Sequence, residues 1–329
     1  DVHRIVLFAG YKFNDKTSFI SEIEFEHVKE VYIEQAFVQH KLSRGLDLKA
    51  GLILIPMGII NEYHEPTTFH GVERPNLDKN IVPTTWREIG VGFNGNIPEV
   101  NLKYQAYVVN GFKSYDDGGI LKGSNGLRSG RQKAAESIIS YPNFSGKIDY
   151  YGLKNTKLGL SGYGGKSQST LFDGLEDSDM LGQLQADSSV VDVAMIGIDG
   201  RYRHNGLEIT GQYIHSWIGN TAQYNAFTGK DLGSEMTGFY IEAAYNILQN
   251  SINCESELFP FVRFEQYNTH SATEQGTDQD PSFDRTELTT GLTWKVHPGV
   301  SLKADIQFFN NEAIEKATKQ LNAGFGVWF

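Results

Sequence analysis

Apolar and polar side chains alternate with a two-residue period along much of the chain. Leu46, Leu48, Ala50, Leu52 and Leu54 interleave with Asp47, Lys49, Gly51 and Ile53. Thr286, Leu288, Thr290, Leu292 and Trp294 interleave with Arg285, Glu287, Thr289, Gly291, Thr293 and Lys295. Leu302, Ala304, Ile306 and Phe308 interleave with Lys303, Asp305 and Gln307, and the chain closes on Leu321, Ala323, Phe325, Val327 and Phe329 set between small or polar residues. Successive side chains of a strand point to opposite faces, so each segment predicts a strand with one apolar and one hydrophilic face. Fifteen strands are predicted, near 3–12, 18–27, 31–41, 46–54, 86–94, 101–110, 144–152, 156–163, 190–203, 207–218, 236–247, 258–267, 283–296, 300–310 and 319–329. No shift in composition interrupts them, which predicts one all-β domain over residues 1–329.

The connections carry a second pattern. Tight turns such as Asn14-Asp15, His204-Asn205-Gly206 and His297-Pro298-Gly299 alternate with the long segments 55–85, 111–143, 164–189, 219–235 and 268–282. The exception is the tight link near Val28 to Glu30, which falls on the long-loop side. Short turns at one end and long loops at the other are expected of a transmembrane antiparallel β-barrel, whose apolar face meets lipid. Even strand parity predicts sixteen strands, the fifteen visible ones plus one before Asp1, and a barrel that wide predicts an aqueous interior.

Composition bears on this in three ways. Mean hydropathy is −0.36, as expected if only alternate residues face lipid. Net charge is −11, which argues against nucleic acid as a partner. The single Cys254 excludes an internal disulfide and argues against a cysteine metal site. No apolar run reaches the length of a membrane helix, and the sequence starts at Asp1 without a charged and apolar leader, so any export signal is expected to have been removed or to lie outside it. Tyr11, Trp217, Tyr245, Trp294 and Trp328 stand at strand ends, as interfacial aromatic belts do.

The stretch Gly51-Leu-Ile-Leu-Ile-Pro-Met-Gly-Ile-Ile-Asn-Glu-Tyr-His-Glu-Pro66, with Phe69-His-Gly-Val-Glu-Arg-Pro75 and Pro83-Thr-Thr-Trp-Arg-Glu-Ile-Gly90, resembles porins of the phosphate-selective porin O and P family, in the branch found in Bacteroides-like bacteria. Asn125-Gly-Leu-Arg-Ser-Gly-Arg-Gln-Lys133 and the ending Phe325-Gly-Val-Trp-Phe329 fit the same likeness. The resemblance implies a sixteen-stranded porin of a Gram-negative outer membrane, usually trimeric, with a long loop folded into the lumen. Partners would be lipid, lipopolysaccharide, small hydrophilic solutes or ions, and other subunits of an outer-membrane complex. An arginine ladder of the phosphate-selective kind does not align residue by residue, so the solute stays open.

The hydrophilic phase of each strand predicts the lumen. Lys49, Lys103, Lys147, Lys157, Arg263, Arg285, Lys295 and Lys303 fall on it, as do Glu22, Glu24, Glu26, Asp47, Asp149, Glu208, Glu242, Glu265, Glu287 and Asp305. This mixed inventory selects no single sign of ion. The stripe Glu22, Glu24, Glu26 either pairs with lysines on neighbouring strands or draws cations, and Arg263 and Glu265 share a face and can join one network. Within 55–85, Glu62, His64, Arg74 and Arg87 beyond it are candidates to line a constriction, where arginine can grip carboxylate or phosphate or instead pair with Glu73, Glu88 or loop carbonyls. His64, Glu65 and His70 lack a recognised metal spacing, so no metal or cofactor is assigned. Arg128, Arg131 and Lys133 form a predicted outer basic cluster that steers anions, meets lipopolysaccharide phosphates or pairs with Asp116, Asp117 and Glu136. His40, His204 and His215 form no catalytic constellation, so the chain reads as a passive channel rather than an enzyme. The competing reading is a structural or partner-binding barrel whose lumen is plugged.

Overall fold

The computed structural model describes residues 2–251 and 255–328; Asp1, Cys254 and Phe329 lie outside the described residues. Seventeen strands follow in order: β1 (Arg4–Lys12), β2 (Thr17–Glu26), β3 (Glu30–Ser43), β4 (Leu46–Leu54), β5 (Arg87–Ile97), β6 (Leu102–Val109), β7 (Lys113–Tyr115), β8 (Asn143–Tyr150), β9 (Thr156–Lys166), β10 (Gln168–Ser169), β11 (Asp192–His204), β12 (Leu207–Gly219), β13 (Glu235–Tyr245), β14 (Glu257–Ala272), β15 (Asp284–His297), β16 (Val300–Asn311) and β17 (Thr318–Val327). Fifteen of them form one sheet in chain order, while β7 and β10 make a separate parallel pair within the loops. Every predicted strand is present. The fifteen wall strands are those predicted within the chain, and among the described residues no ladder joins β1 to β17.

The two faces divide as the alternation requires. On the outer face Leu321 is 81% exposed and Phe325 76%, whereas on the inner face Arg263 and Glu265 are both 0% exposed. This is the arrangement that lipid outside and polar partners inside would stabilise, because apolar surface left in contact with hydrocarbon carries no penalty. Tyr11, Trp217, Tyr245, Trp294 and Trp328 are all exposed on the outside.

One irregularity redirects a strand. Gln35 of β3 opposes Glu22 of β2, but the next pair is Ile33 with Ile23, so Glu34 is an extra residue. A bulge of this kind resets the inward phase, bringing Tyr32 and Glu34, then Gln35 and Phe37, to the same side. The link between β2 and β3 is a tight turn in which His27 and Val28 have φ of 51° and 62°, the left-handed geometry that two-residue hairpins favour.

The long connections carry three helices, α1 (Leu77–Asn80), α2 (Met180–Ser188) and α3 (Thr221–Thr228), none of which the strand pattern reveals. The core lies inside the sheet. Ile53, Ile55, Met57, Leu77, Ile81, Val82 and Trp86 join Phe37, Tyr107, Tyr163, Val193, Met195, Ile214 and Tyr240 in one buried apolar cluster. An aqueous interior is therefore not what this half of the barrel encloses. The apolar part of the segment between β4 and β5 has turned inward and packed against these inward-facing residues of six strands.

An arginine at Ile198, near the middle of β11 and exposed on the outer face, should destabilise folding into lipid vesicles by about 2–4 kcal/mol. Denaturant titration of the folded vesicle-bound protein measures this; an I198R variant as stable as the wild type would contradict the lipid-facing assignment.

Candidate functional site

The segment 55–86 leaves β4 and enters the lumen. Its backbone N–H and C=O groups belong to no ladder, and buried groups of that kind need partners. Wall side chains provide them. Ile59 N–H donates to Gln212 Oε1 (2.6 Å), Val72 N–H to Asp305 Oδ2 (2.6 Å) and Leu77 N–H to Glu265 Oε2 (3.1 Å). Lys147 donates to the Gly58 carbonyl, and Lys303 to the carbonyls of Phe69 and Gly71. On the far side of the barrel, Arg4 of β1 donates to the His64 carbonyl, and a Cβ placed on Gly326 of β17 would come within 3.1 Å of Pro66. The inner loop therefore touches both end strands of the sheet and the wall between them.

Two ionic networks hold it. In the first, Lys147 lies 3.2 Å from Asp199, 3.4 Å from Glu62 and 4.0 Å from Asp149, and Lys157 lies 3.0 Å from Asp149. Glu62 also accepts from Gln105 at 2.6 Å. In the second, Arg263 lies 3.3 Å from Glu265 and 3.4 Å from Glu242, and donates to the Glu73 carbonyl. Asn76 and Tyr267 both donate to Glu287 at 2.7 Å. Gln212 donates to Asp78 at 2.8 Å, yet burial pushes the Asp78 carboxyl up to about 7.

Each residue singled out in the sequence has a definite place. Glu22 and Glu24 are buried on the inner face and Glu26 is half-buried beside them. Their partners are not the expected lysines: Arg4 meets Glu24 at 3.3 Å, and Gln35 donates to Glu22 at 2.6 Å. Lys49 lies 3.8 Å over the Phe37 ring, and Lys103 is half-buried on β6. Lys303 is taken up by the loop carbonyls. Arg87 is buried and bonded to the bulged Glu34 at 2.9 Å, the pairing alternative rather than a free solute contact. Arg74 is half-buried with Nη1 lacking a hydrogen-bond partner among the described residues. His70 leaves His64 and Glu65 to pair with Glu208 at 3.2 Å.

The outer basic cluster differs from the expectation of free surface charge. Arg128 donates to the Thr84 carbonyl at 2.7 Å, and Arg131 donates to the same carbonyl at 2.8 Å. Lys133 lies 4.8 Å from the Tyr32 ring centre. Asp116 goes instead to Lys113, at 2.9 Å. Among the described residues neither arginine has a carboxylate within ion-pair distance. Burial, with the Arg128 and Arg87 guanidiniums beside it, holds Arg131 below the usual guanidinium range. These residues pin the inner loop, and Glu26 and Glu34 offset part of the charge of Arg128 and Arg131 from beyond ion-pair distance.

Sequence reasoning missed Arg4, Glu34, Asp199 and Arg201. Asp199 and Arg201 continue the phase opposite the outward Ile196 and Ile198, so alternation alone could have found them. Glu34 could not be found that way, because its inward position depends on the bulge.

Removing the Lys147 charge as K147M should lower stability by about 3–5 kcal/mol, since Glu62 and Asp199 would be left buried without their cation; denaturant unfolding in detergent checks it. The raised Asp78 group favours the protonated form when folded. Its stabilising contribution is complete below about pH 4 and is lost as pH rises through about 7. A D78N variant should gain stability at pH 8 relative to wild type and lose most of that gain at pH 4, which melting curves at the two pH values will show.

No family model matches the chain. An uncharacterized protein of Aquifex aeolicus (strain VF5) is 33% identical over 315 residues, covering 93% of this chain and 69% of that one. Among solved structures, OmpF of Salmonella typhi in complex with daunomycin aligns with a TM-score of 0.58 at 11% identity, over 99% of this chain and 89% of that one. The outer membrane channel DcaP of Acinetobacter baumannii aligns with a TM-score of 0.56 at 10% identity, over 98% and 83% of the two chains. The trimer form of OmpT, an outer membrane protein of Vibrio cholerae, gives 0.55 at 11% identity over 98% and 89%. The chain belongs to the family of the Aquifex aeolicus protein, and its fold is that of the outer-membrane porin barrels.

Proposed function

We propose that the protein is an outer-membrane porin of a Gram-negative bacterium, a passive channel for small hydrophilic solutes whose path is set by the inner loop 55–86. The observation that carries this is the opposition of the two faces. A lipid-compatible outside encloses a wall of charges, and the loop is bonded to that wall on several sides. Such a loop narrows the bore to whatever space its polar edge leaves. The porin fold of DcaP and OmpF supports the reading, and the OmpT trimer form supports assembly as a homotrimer.

Anions such as phosphate are the favoured solutes. Arg128 and Arg131 present guanidinium groups bonded to neutral carbonyls, with Arg74 close enough to bear on the charge of both. A guanidinium without an ion-paired carboxylate attracts phosphate or carboxylate and can bind either with paired hydrogen bonds.

The packed apolar cluster inside the barrel favours a second reading, a plugged barrel that serves as a subunit of an outer-membrane complex. Planar-bilayer recording decides between them. The porin reading expects discrete conductance steps and, in a potassium chloride gradient, a reversal potential of anion-preferring sign that moves toward cations in an R128A/R131A variant. Absence of steps in wild-type protein would overturn it in favour of the plug. Steps with cation preference would overturn the anion assignment alone.

A further inference from the structure

Two carboxylates and an imidazole meet where the inner loop crosses the wall at β2. Glu22 projects from β2, His64 and Glu65 come from the loop, and one ligand-capable atom of each lies within 4.8 Å of the other two. His64 is the informative member. Its Nδ1 is 3.2 Å from the Asn61 carbonyl, which can only accept, so Nδ1 carries the proton and Nε2 offers a lone pair. His64 is 3% exposed, its Nε2 has no hydrogen-bond partner among the described residues, and that atom stands 4.0 Å from Glu65 Oε1. Buried polar atoms are rarely left so, and each one calls for an explanation such as a missing ligand.

Two nearby arginines are committed to other partners. Arg4 is engaged by Glu24 and the His64 carbonyl, and Arg87 by Glu34. Gln35 donates to Glu22 Oε2 at 2.6 Å. Among the described residues neither Glu22 nor Glu65 has a lysine or arginine within ion-pair distance.

We propose that Glu22, His64 Nε2 and Glu65 form a binding site for a divalent transition cation, with Zn²⁺ the best fit. Two carboxylates and a neutral imidazole bring a charge that a dication cancels, and an oxygen-and-nitrogen donor set suits zinc. The Nδ1–H to carbonyl bond is the outer-shell contact that fixes a metal-binding histidine in its tautomer. Zinc bonds of about 2.0 Å place tetrahedral donors about 3.3 Å apart. The three groups thus close by about 1 Å on binding, a movement that rotation of the glutamate side chains supplies. Water takes the fourth position. The cation ties residues 64–65 of the loop to β2, on the side of the lumen away from the Lys147 and Arg263 networks. His70 has no part in the site.

Metal binding is measured on the full chain in detergent and is independent of whether the barrel conducts. Titration calorimetry with Zn²⁺, supported by metal analysis after dialysis, should give one ion per chain. E22Q, H64Q and E65Q should each weaken binding at least about tenfold, the scale on which even outer-shell changes act, while H70A keeps the wild-type affinity. Co²⁺ added to wild-type protein should produce the intense visible absorption of a four- or five-coordinate site, a readout that needs no variant to fold. Absence of both Zn²⁺ uptake and the Co²⁺ spectrum in wild-type protein would overturn the proposal, as would equal Zn²⁺ affinity in a folded E22Q/E65Q variant.

Discussion

In a hydrocarbon slab no water is available to a peptide group, and every backbone N–H and C=O at that depth must find a partner within the protein. For this chain the answer is a sheet of fifteen consecutive antiparallel neighbours. That constraint fixes much else. Strands in such a sheet have two faces, the outer one must be apolar, and ionisable groups at membrane depth are confined to the inner one. The high exposure of Leu321 and Phe325 and the full burial of Arg263 and Glu265 are two consequences of the same rule.

The rule then creates a problem on the inside. Charged side chains collected on an inner wall are stable in water or when paired, and they are unfavourable if merely buried. Here they are paired, and the partner is largely the inner loop. Loop amides serve Gln212, Asp305 and Glu265, and loop carbonyls serve Lys147 and Lys303. The wall satisfies the irregular backbone of the loop, and the loop satisfies the charges of the wall. Neither arrangement is stable without the other, so the loop acts as a fixed part of the lumen. Segment 77–80 reflects the same dependence. It is a single helical turn with little stability of its own, held through Leu77 N–H on Glu265 and Asp78 on Gln212.

The sheet was legible to within a few residues because its period is local. Leu302, Ala304 and Ile306 against Lys303 and Asp305 state their faces without reference to any other strand. The inventory of inward charges followed directly, and Arg263 with Glu265 could be expected in one network. Legibility ended where position depended on something non-local. Glu34 faces inward only through a bulge in its pairing with β2. Arg128 and Arg131 read as surface charge in sequence, yet they reach back across more than forty residues to the Thr84 carbonyl. The Glu22 stripe seemed to want lysines, but Arg4 and Gln35 take its charge because strand neighbours, not residue types, decide who is within reach.

The sequence by itself determined that this is an all-β chain with a greasy and a wet face, and that residues 55–85 were too long and too apolar to be an idle connection. Both conclusions rest on periodicity and length, which are properties of neighbours along the chain. Only the tertiary structure decided what fills the interior, which arginines bond to carbonyls rather than carboxylates, and that His64 and Glu65 of the loop stand beside Glu22 of the wall while His70 does not. Those outcomes depend on where a loop without a repeating pattern comes to rest. That place is chosen by hydrogen bonds to side chains as many as 234 residues distant in the chain, a separation that no local pattern encodes.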